Sequence, residues 1–365
     1  MMTRGLPGSR EHYTIGETRM ETVDLRRDTI TLPDDRMRRE AFGARLGDSV
    51  YGEDPMHEEL ERRAAECAGM EEGLFLPSGT MGNLVCMLSH TVHGDEIIVE
   101  ENAHVRTSET GGAGFVGGLM IRTVRGESGA PDPAEVREAI RKDDIHYPRT
   151  SLICIETPHH KYGGIVPPLD LFEGIKAVAV EHGLPVHLDG ARIFNAALYL
   201  GVDVKTITRF ADSVMISLSK GLGAPVGSVV CGSRDFMKRA RRFRKMLGGG
   251  MRQTGWLCAC GMVALSEENT ARLREDHDNA LILARFFAEH PGTAVDLDRV
   301  HTNYVVVTVT RQGMNAASFL ASMKERGVLA SAAGENTVRF VTSKMVKRAD
   351  AERAVEAARS VLDAG

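Results

Sequence analysis

Between residues 73 and 230 short apolar runs alternate with stretches in which apolar residues recur every three or four positions. The runs at 74–76, 95–99, 119–124, 151–155, 184–188, 214–218 and 226–231 have the length and composition of buried strands. Helical spacing fills the intervals at 81–90, 132–142, 169–182 and 202–210. Alternation of this kind predicts an α/β fold with a largely parallel sheet and helices on both faces. Upstream, 23–31 reads as a short strand or extended arm, 34–44 and 56–68 as helices, and 47–55 as a turn-forming loop. Downstream come helices at 233–246, 256–269 and 274–290, then strand 303–310, helix 316–326, strand 337–341 and helix 349–364. The chain is therefore expected to comprise a flexible extension at 1–22, a large domain at 23–270 and a small α+β domain at 271–365.

Polar residues close several of these runs. The run at 184–188 ends at Asp189, and that at 214–218 ends at Ser219-Lys220-Gly221. A helical crossover makes the two strands neighbours, and ligands of open α/β sheets bind at the carboxyl ends of strands, so both charges face one crevice. A buried amine with a lowered pKa attacks an aldehyde, and a carboxylate keeps a pyridine nitrogen protonated; together they suit pyridoxal phosphate. Asp189, Arg192 and Lys220 as loop charges in a salt bridge is the alternative that these residues alone leave open. Pro77-Ser78-Gly79-Thr80 joins a strand to a helix N-terminus, which suits a phosphate or, equally, a helix cap without a ligand. His104 follows the run at 95–99, where an imidazole can stack on a flat cofactor ring. Glu156-Thr157-Pro158-His159-His160 is a further polar strand end, and its tandem histidines lack the carboxylate or cysteine at ligand spacing that a metal site needs. Arg252 follows a triple-glycine turn and can reach an anion, and Arg339 interrupts an apolar strand, which calls for an anionic partner or a solvated edge.

Composition narrows the class. The 42% hydrophobic and 26% charged fractions are those of a soluble enzyme, and a net charge of −5 gives no reason to expect nucleic acid or an anionic membrane. No apolar run reaches the ~18 residues of a membrane span. The six cysteines show no CxxC spacing and read as reduced, buried small hydrophobes, which fits the cytosol. The polar stretch at 1–20 has no hydrophobic centre and reads as an extension rather than a secretory signal. The basic helix at 233–246 is interrupted by apolar residues and reads as a subunit or domain interface.

Taken together, VDLRRDTIT, GDSVYGEDP, FLPSGTMGNL, HLDGARIFNA, SLSKGLGAPVGS and RKMLGGGMRQTG resemble the signature segments of the low-specificity L-threonine aldolases, pyridoxal-phosphate enzymes of fold type I. The resemblance implies a seven-stranded, mostly parallel sheet in the large domain and retro-aldol cleavage of L-threonine or L-allo-threonine to glycine and an aldehyde. It implies that Lys220 carries the cofactor, Asp189 pairs with the pyridine nitrogen, and Ser78, Gly79 and Thr80 bind the phosphate. His104 is implied to stack on the ring, and Arg192 and Arg339 to hold the substrate carboxylate. His159 matches a histidine near the substrate β-hydroxyl, so His159 or His104 serves as base. Tyr51, Lys245 and Arg252 are implied at the site too, the latter two reaching a neighbouring subunit's cavity in a cytoplasmic homo-oligomer, a tetramer with sites at a dimer interface. A lyase or transaminase acting on another amino acid, and a weakly catalytic cofactor-binding protein, are the competing readings. The substrate shell departs from the family pattern at Arg27, Arg106, Ser108, Thr157-Pro158 and Ser343. Arg27 and Arg106 predict a preference for a bulkier or more acidic β-hydroxy amino acid than threonine.

Overall fold

The computed structural model describes residues 22–126 and 129–364. The extension expected at 1–22 lies, except for its last residue, outside them. Seven strands form the main sheet: β1 (Glu72–Leu76), β2 (Glu96–Glu100), β3 (Met120–Val124), β4 (Thr150–Glu156), β5 (Val186–Asp189), β6 (Ser213–Ser217) and β7 (Ser228–Gly232). Their order is β1-β7-β6-β5-β4-β2-β3. Every pairing from β6 to β3 is parallel, whereas β7 runs antiparallel to both of its neighbours. A ten-residue loop without a helix joins β6 to β7, too short for a parallel crossover, so the chain turns back. Strands β2, β4, β5, β6 and β7 are buried along their whole length, as expected where helices cover both faces.

Tertiary contacts and local breakers reshape several expected elements. The segment at 23–31 is not one strand: Val23–Asp24 pairs in parallel with Val328–Leu329, and a 3-10 turn follows at Asp28–Ile30. The crossover from β5 to β6 holds two helices, Ile193–Leu200 and Val204–Thr208, separated where Gly201 turns left-handed at φ +67° and Asp203 caps the next helix. The helix at 256–269 is likewise two, Gly255–Ala264 and Glu267–Ala271, with Ser266 capping the second. The helix at 132–142 stops at Ala139.

Beyond the helix Leu273–Glu289 a second, antiparallel sheet takes the order Ser331–Ala332, Thr337–Val341, Tyr304–Val309, Thr293–Ala294. Its two longer strands send alternate residues to opposite faces. Val305, Val307, Val338 and Phe340 join Phe287, Phe319 and Ala358 in a second hydrophobic core, together with Val23 and Leu25 from the N-terminal segment. The opposite face, with the cross-strand pairs Tyr304–Val341, Val306–Arg339 and Thr308–Thr337, turns away from that core. Three arginines of the basic helix Arg234–Met246 serve this chain itself: Arg239 bonds the Leu88 and Thr91 carbonyls, Arg241 pairs with Glu72, and Arg244 with Glu61. All six cysteines are free, and among the described residues no helix is long and apolar enough to cross a membrane.

Candidate active site

The carboxyl ends of the parallel strands face the polar side of the second sheet across a cavity of about 580 Å³. Arg27, His104, His160, Arg192, Lys220 and Arg339 all line it, beside Tyr304. Arg339 interrupts an apolar strand because it stands on the cavity face of that strand, opposite Val306.

Lys220 sits three residues beyond β6, in a turn closed by Gly223 N–H to the Lys220 carbonyl (2.9 Å), with Gly223 at φ +81°. Burial lowers its pKa and the Arg192 guanidinium adds to the effect, while Asp189, Asp28 and Glu156 oppose it. The free amine, which is the nucleophilic form, is thereby favoured. Asp189 ends β5, paired across the sheet with Met215 of β6. It is 4% exposed, and its carboxylate accepts from Asn83 Nδ2 (2.9 Å) and the Ala191 amide (3.1 Å).

Asn83 organises the floor of the site. Its Nδ2 also donates to Glu109 (2.8 Å), so its Oδ1 must accept from His187 Nε2 (3.1 Å). That leaves His187 Nδ1 to accept from Ser213 Oγ (3.0 Å), which in turn accepts from His90 Nε2 (2.9 Å). Burial lowers the pKa of His187 to about 4 and of His90 to about 3, so the chain of bonds behind Asp189 is neutral. Glu109 accepts from His104 Nδ1 (2.9 Å), and this bond raises the His104 pKa against the opposing effect of burial, with Asp189 adding to it. Burial raises the Glu109 carboxyl, the His104 bond opposing and the nearby Asp189 charge adding. Because Nδ1 holds the proton shared with Glu109, His104 presents Nε2. Among the described residues His104, Glu109 and Asp189 form the group with metal-ligand spacing, and the bonds from Asn83 and His104 account for it.

At the end of β4, Glu156 accepts the backbone N–H of both His104 and His160 (2.7 Å each) and so fixes two cavity histidines at once. His159 does not reach the cavity. It is fully buried behind it, with Nε2 3.0 Å from Glu100 and Nδ1 unpartnered. His160 takes the cavity position, its Nδ1 3.3 Å from the Tyr304 hydroxyl. Strand alternation leaves only one of two adjacent histidines facing in, and sequence alone does not say which. Burial, helped by Arg192 and Arg339, lowers the His160 pKa to about 2.

Arg192 stands at the residue before the helix Ile193–Leu200, and its side chain grips Asp28 through Nε (2.5 Å) and Nη2 (2.7 Å). Its guanidinium lies 5.0 Å from the Tyr304 ring centroid, and that of Arg339 lies 5.7 Å from the same ring. The buried Nε of Arg339 has no protein acceptor, so the site holds a donor that a carboxylate would satisfy.

The turn at Ser78 lies along the same row of strand ends, since Leu76 pairs with Ser228 and Ser228 with Ser217. Ser78 Oγ caps the helix Gly79–His90 by accepting from Met81 N–H (3.2 Å), and Ser228 Oγ donates to the Ser78 carbonyl (2.9 Å). The Gly79 and Thr80 N–H groups begin the helix and have no intrahelical partner, which fits an anion. An aldehyde-reactive amine, a buried carboxylate, an imidazole and an anion-binding helix end match the chemistry of pyridoxal phosphate.

Tyr51, Lys245 and Arg252 stand away from this cavity. Arg252 pairs with Asp48 (2.9 Å) and lies 5.8 Å from the Tyr51 ring, while Ser49 Oγ donates to the Met251 carbonyl (2.7 Å), which docks the loop at 47–55 on the glycine-rich turn. Tyr51 is 74% exposed. Of the departures, Arg27 lines the cavity, whereas Arg106 folds back onto the Glu101 carbonyl (2.6 Å), Ser108 Oγ bonds Thr107 (3.3 Å), and Thr157 and Ser343 are buried. Asp28, Asn83, Glu109 and Tyr304 carry no signal at short range. Asp28 meets Arg192 across 164 positions and Asn83 meets Asp189 across 106.

The beta-eliminating lyase profile matches residues 24–311. A probable low-specificity L-threonine aldolase 2 from Arabidopsis thaliana is 42% identical over 340 residues, covering 92% of this chain and 96% of its own. The low specificity L-threonine aldolase of Escherichia coli K12 is 43% identical over 327 residues, covering 89% and 95%. Among solved structures, a threonine aldolase from Leishmania major superposes with a TM-score of 0.80 at 20% identity, covering 93% of this chain and 99% of its own. A serine palmitoyltransferase from Sphingomonas wittichii does so with 0.74 at 15% identity, covering 93% and 87%.

Proposed function

The chain belongs to the beta-eliminating lyase family, among the low-specificity L-threonine aldolases, and from that premise we propose that it cleaves L-threonine and L-allo-threonine to glycine and acetaldehyde with pyridoxal phosphate. The observation that carries this reading is the single cavity in which a half-buried lysine of lowered pKa meets two arginines, beside a buried carboxylate.

Lys220, Asp189, His104 and the Ser78-Gly79-Thr80 turn would hold the cofactor. Once bound, it supplies an electron sink for the pair released when the Cα–Cβ bond breaks. Arg339 offers its unpartnered Nε to the substrate carboxylate, and Arg192 offers the part of its fork that Asp28 leaves free. Two such contacts fix rotation about Cα, which decides the bond that breaks. Asp189, held as an acceptor by Asn83 and the Ala191 amide, presents negative charge where a protonated ring nitrogen is needed. The proton on the β-hydroxyl has to leave as the aldehyde forms. His104 suits that task better than His160, because Glu109 raises its basicity whereas burial makes His160 a very weak base. Glu156 positions both rings through their backbone amides.

The surface held by Tyr51, Asp48 and Arg252, with Lys245 nearby, supports a homo-oligomer, a tetramer with its sites at a dimer interface, in which these residues complete the cavity of another copy. The two hydrophobic cores support a large domain at 23–270 and a small one at 271–365, with the proviso that Val23 and Leu25 pack in the small domain's core. A cytoplasmic location fits the free, mostly buried cysteines.

Aldehyde release from L-threonine and L-allo-threonine by the purified holoenzyme tests the activity, with Lys220→Ala as the blank. Release that disappears in the variant is the expected result. Ammonia and a keto acid in place of glycine and aldehyde would point to an elimination instead and overturn the reading.

A further inference from the structure

Five basic side chains line the cavity, Arg27, Lys161, Arg192, Lys220 and Arg339, while the carboxylates of the site, Asp28, Glu109, Glu156 and Asp189, are buried behind its wall and bonded to Arg192, His104, the His160 amide and Asn83. Three of the five are accounted for. Arg192 is neutralised by Asp28 at 2.5 and 2.7 Å, Lys220 is the amine that attaches the cofactor, and Arg339 has a buried donor poised for one carboxylate. Arg27 and Lys161 remain. Both are exposed, and among the described residues neither has an ion-pair or hydrogen-bond partner. They approach from different elements, Arg27 from the segment before the 3-10 turn and Lys161 from the loop after β4. Their shared cavity therefore has two positive charges more than an amino acid with a single carboxylate uses. Exposed cations are common at the mouths of clefts, but these two share the wall with the groups that hold the reacting atoms.

We propose that the preferred substrate is a β-hydroxy-α-amino acid with a second carboxylate on Cβ, of the 3-hydroxyaspartate class, which Arg27 and Lys161 select. The proposal rests on the aldolase reading and narrows its substrate. Cleavage breaks Cα–Cβ, and the bonding pair stays with Cα, which takes up a proton to become glycine. The β-hydroxyl gives up its proton and becomes the aldehyde of glyoxylate, so atoms balance with no oxidant or reductant. Threonine places a methyl group where the second carboxylate would stand and leaves both cations unpaired. Loss of one charge-assisted contact to that carboxylate lowers the acidic substrate about 10- to 100-fold relative to threonine.

The test compares kcat/KM for 3-hydroxyaspartate, followed as glyoxylate, and for L-threonine, followed as acetaldehyde, in the wild-type holoenzyme and in Arg27→Ser, Arg27→Lys and Lys161→Ala. The ratio is expected to favour the dicarboxylic substrate in the wild type. It should fall about 10- to 100-fold in Arg27→Ser and by less in Arg27→Lys, with a fall also in Lys161→Ala. Two results would overturn the proposal while leaving the aldolase reading in place: cleavage of threonine without cleavage of 3-hydroxyaspartate, or variants that lose both substrates equally and leave the ratio unmoved. The second would mean that Arg27 grips the α-carboxylate. Cleavage of neither substrate would remove the aldolase reading and the proposal with it.

Discussion

At the scale of single residues the site is a set of proton positions fixed from behind. Glu109 accepts a hydrogen bond from His104 Nδ1, raises that pKa, and shares Asn83 with Asp189. The base form of His104 is lost as pH falls through its raised pKa, so kcat/KM should decline on the acid side with a midpoint above that of an ordinary histidine. Glu109→Gln keeps an acceptor for Nδ1 but removes the charge. Its acid limb should therefore move to lower pH, with kcat reduced about 10-fold or more as the weaker base takes over. A pH profile of kcat/KM in the two proteins checks this, and an unmoved limb would assign the ionisation to another group. The placement of Asp189, Lys220 and His104 around one site was legible in the sequence at this scale, since all three follow apolar runs. Their supports were not. Asn83 and Asp28 act on residues more than a hundred positions away, and no local pattern marks such pairs. His159 and His160 show the limit of reading faces from adjacent residues, because the strand end turns the second inward.

At the scale of elements, the helix Gly79–His90 places its N-terminus, proposed above for the phosphate, by lying close on β6. Gly82 makes that approach possible: a Cβ there would stand 2.6 Å from Met215 Cγ and 3.0 Å from Ser228 Oγ. Gly82→Ala should push the helix outward, cost about 1–3 kcal/mol of stability, and weaken the hold on cofactor through the displaced Gly79 and Thr80 amides. Urea denaturation and cofactor titration by absorbance measure the two effects. Unchanged affinity would separate the helix packing from the binding. Strands buried on both faces were easy to read because their apolar runs are nearly continuous. The helices were harder, since the spacing marks only 202–210 and misses Ile193–Leu200 before Gly201, while Ser266 breaks what periodicity presents as a single helix at 256–269. The reversal at β7 follows from loop length rather than from any feature of the strand itself.

At the scale of the molecule, two cores meet across the cavity, and one exposed cluster stays outside it. Tyr51 and Arg252 are held together with Asp48 on a surface apart from the cavity that Lys220 lines. Mixing of two inactive proteins tests their assignment to a neighbour. Lys220→Ala and Arg252→Ala subunits, refolded or exchanged together, should regain activity, because one hybrid site then holds an intact Lys220 and a partner's intact arginine. Recovery of nothing would place Arg252 in its own subunit's function. The overall division into large and small units could be read from the switch between parallel and antiparallel patterning. The attachment of Val23 and Leu25 to the far core could not, because a two-residue strand has no periodicity to read.

That attachment has a mechanical consequence. Leu25 is stitched to the small domain from both sides, donating to the Leu329 carbonyl at 2.7 Å and accepting from the amide of Val341 in the second sheet at 2.8 Å. Three residues later Asp28 is clamped to Arg192 on the opposite wall. A fully stretched chain covers at most about 11 Å in three steps, so the segment acts as a short strap whose slack limits how far the two walls can part. Arg27 rides on that strap, and any widening of the cleft shifts its guanidinium with the moving wall.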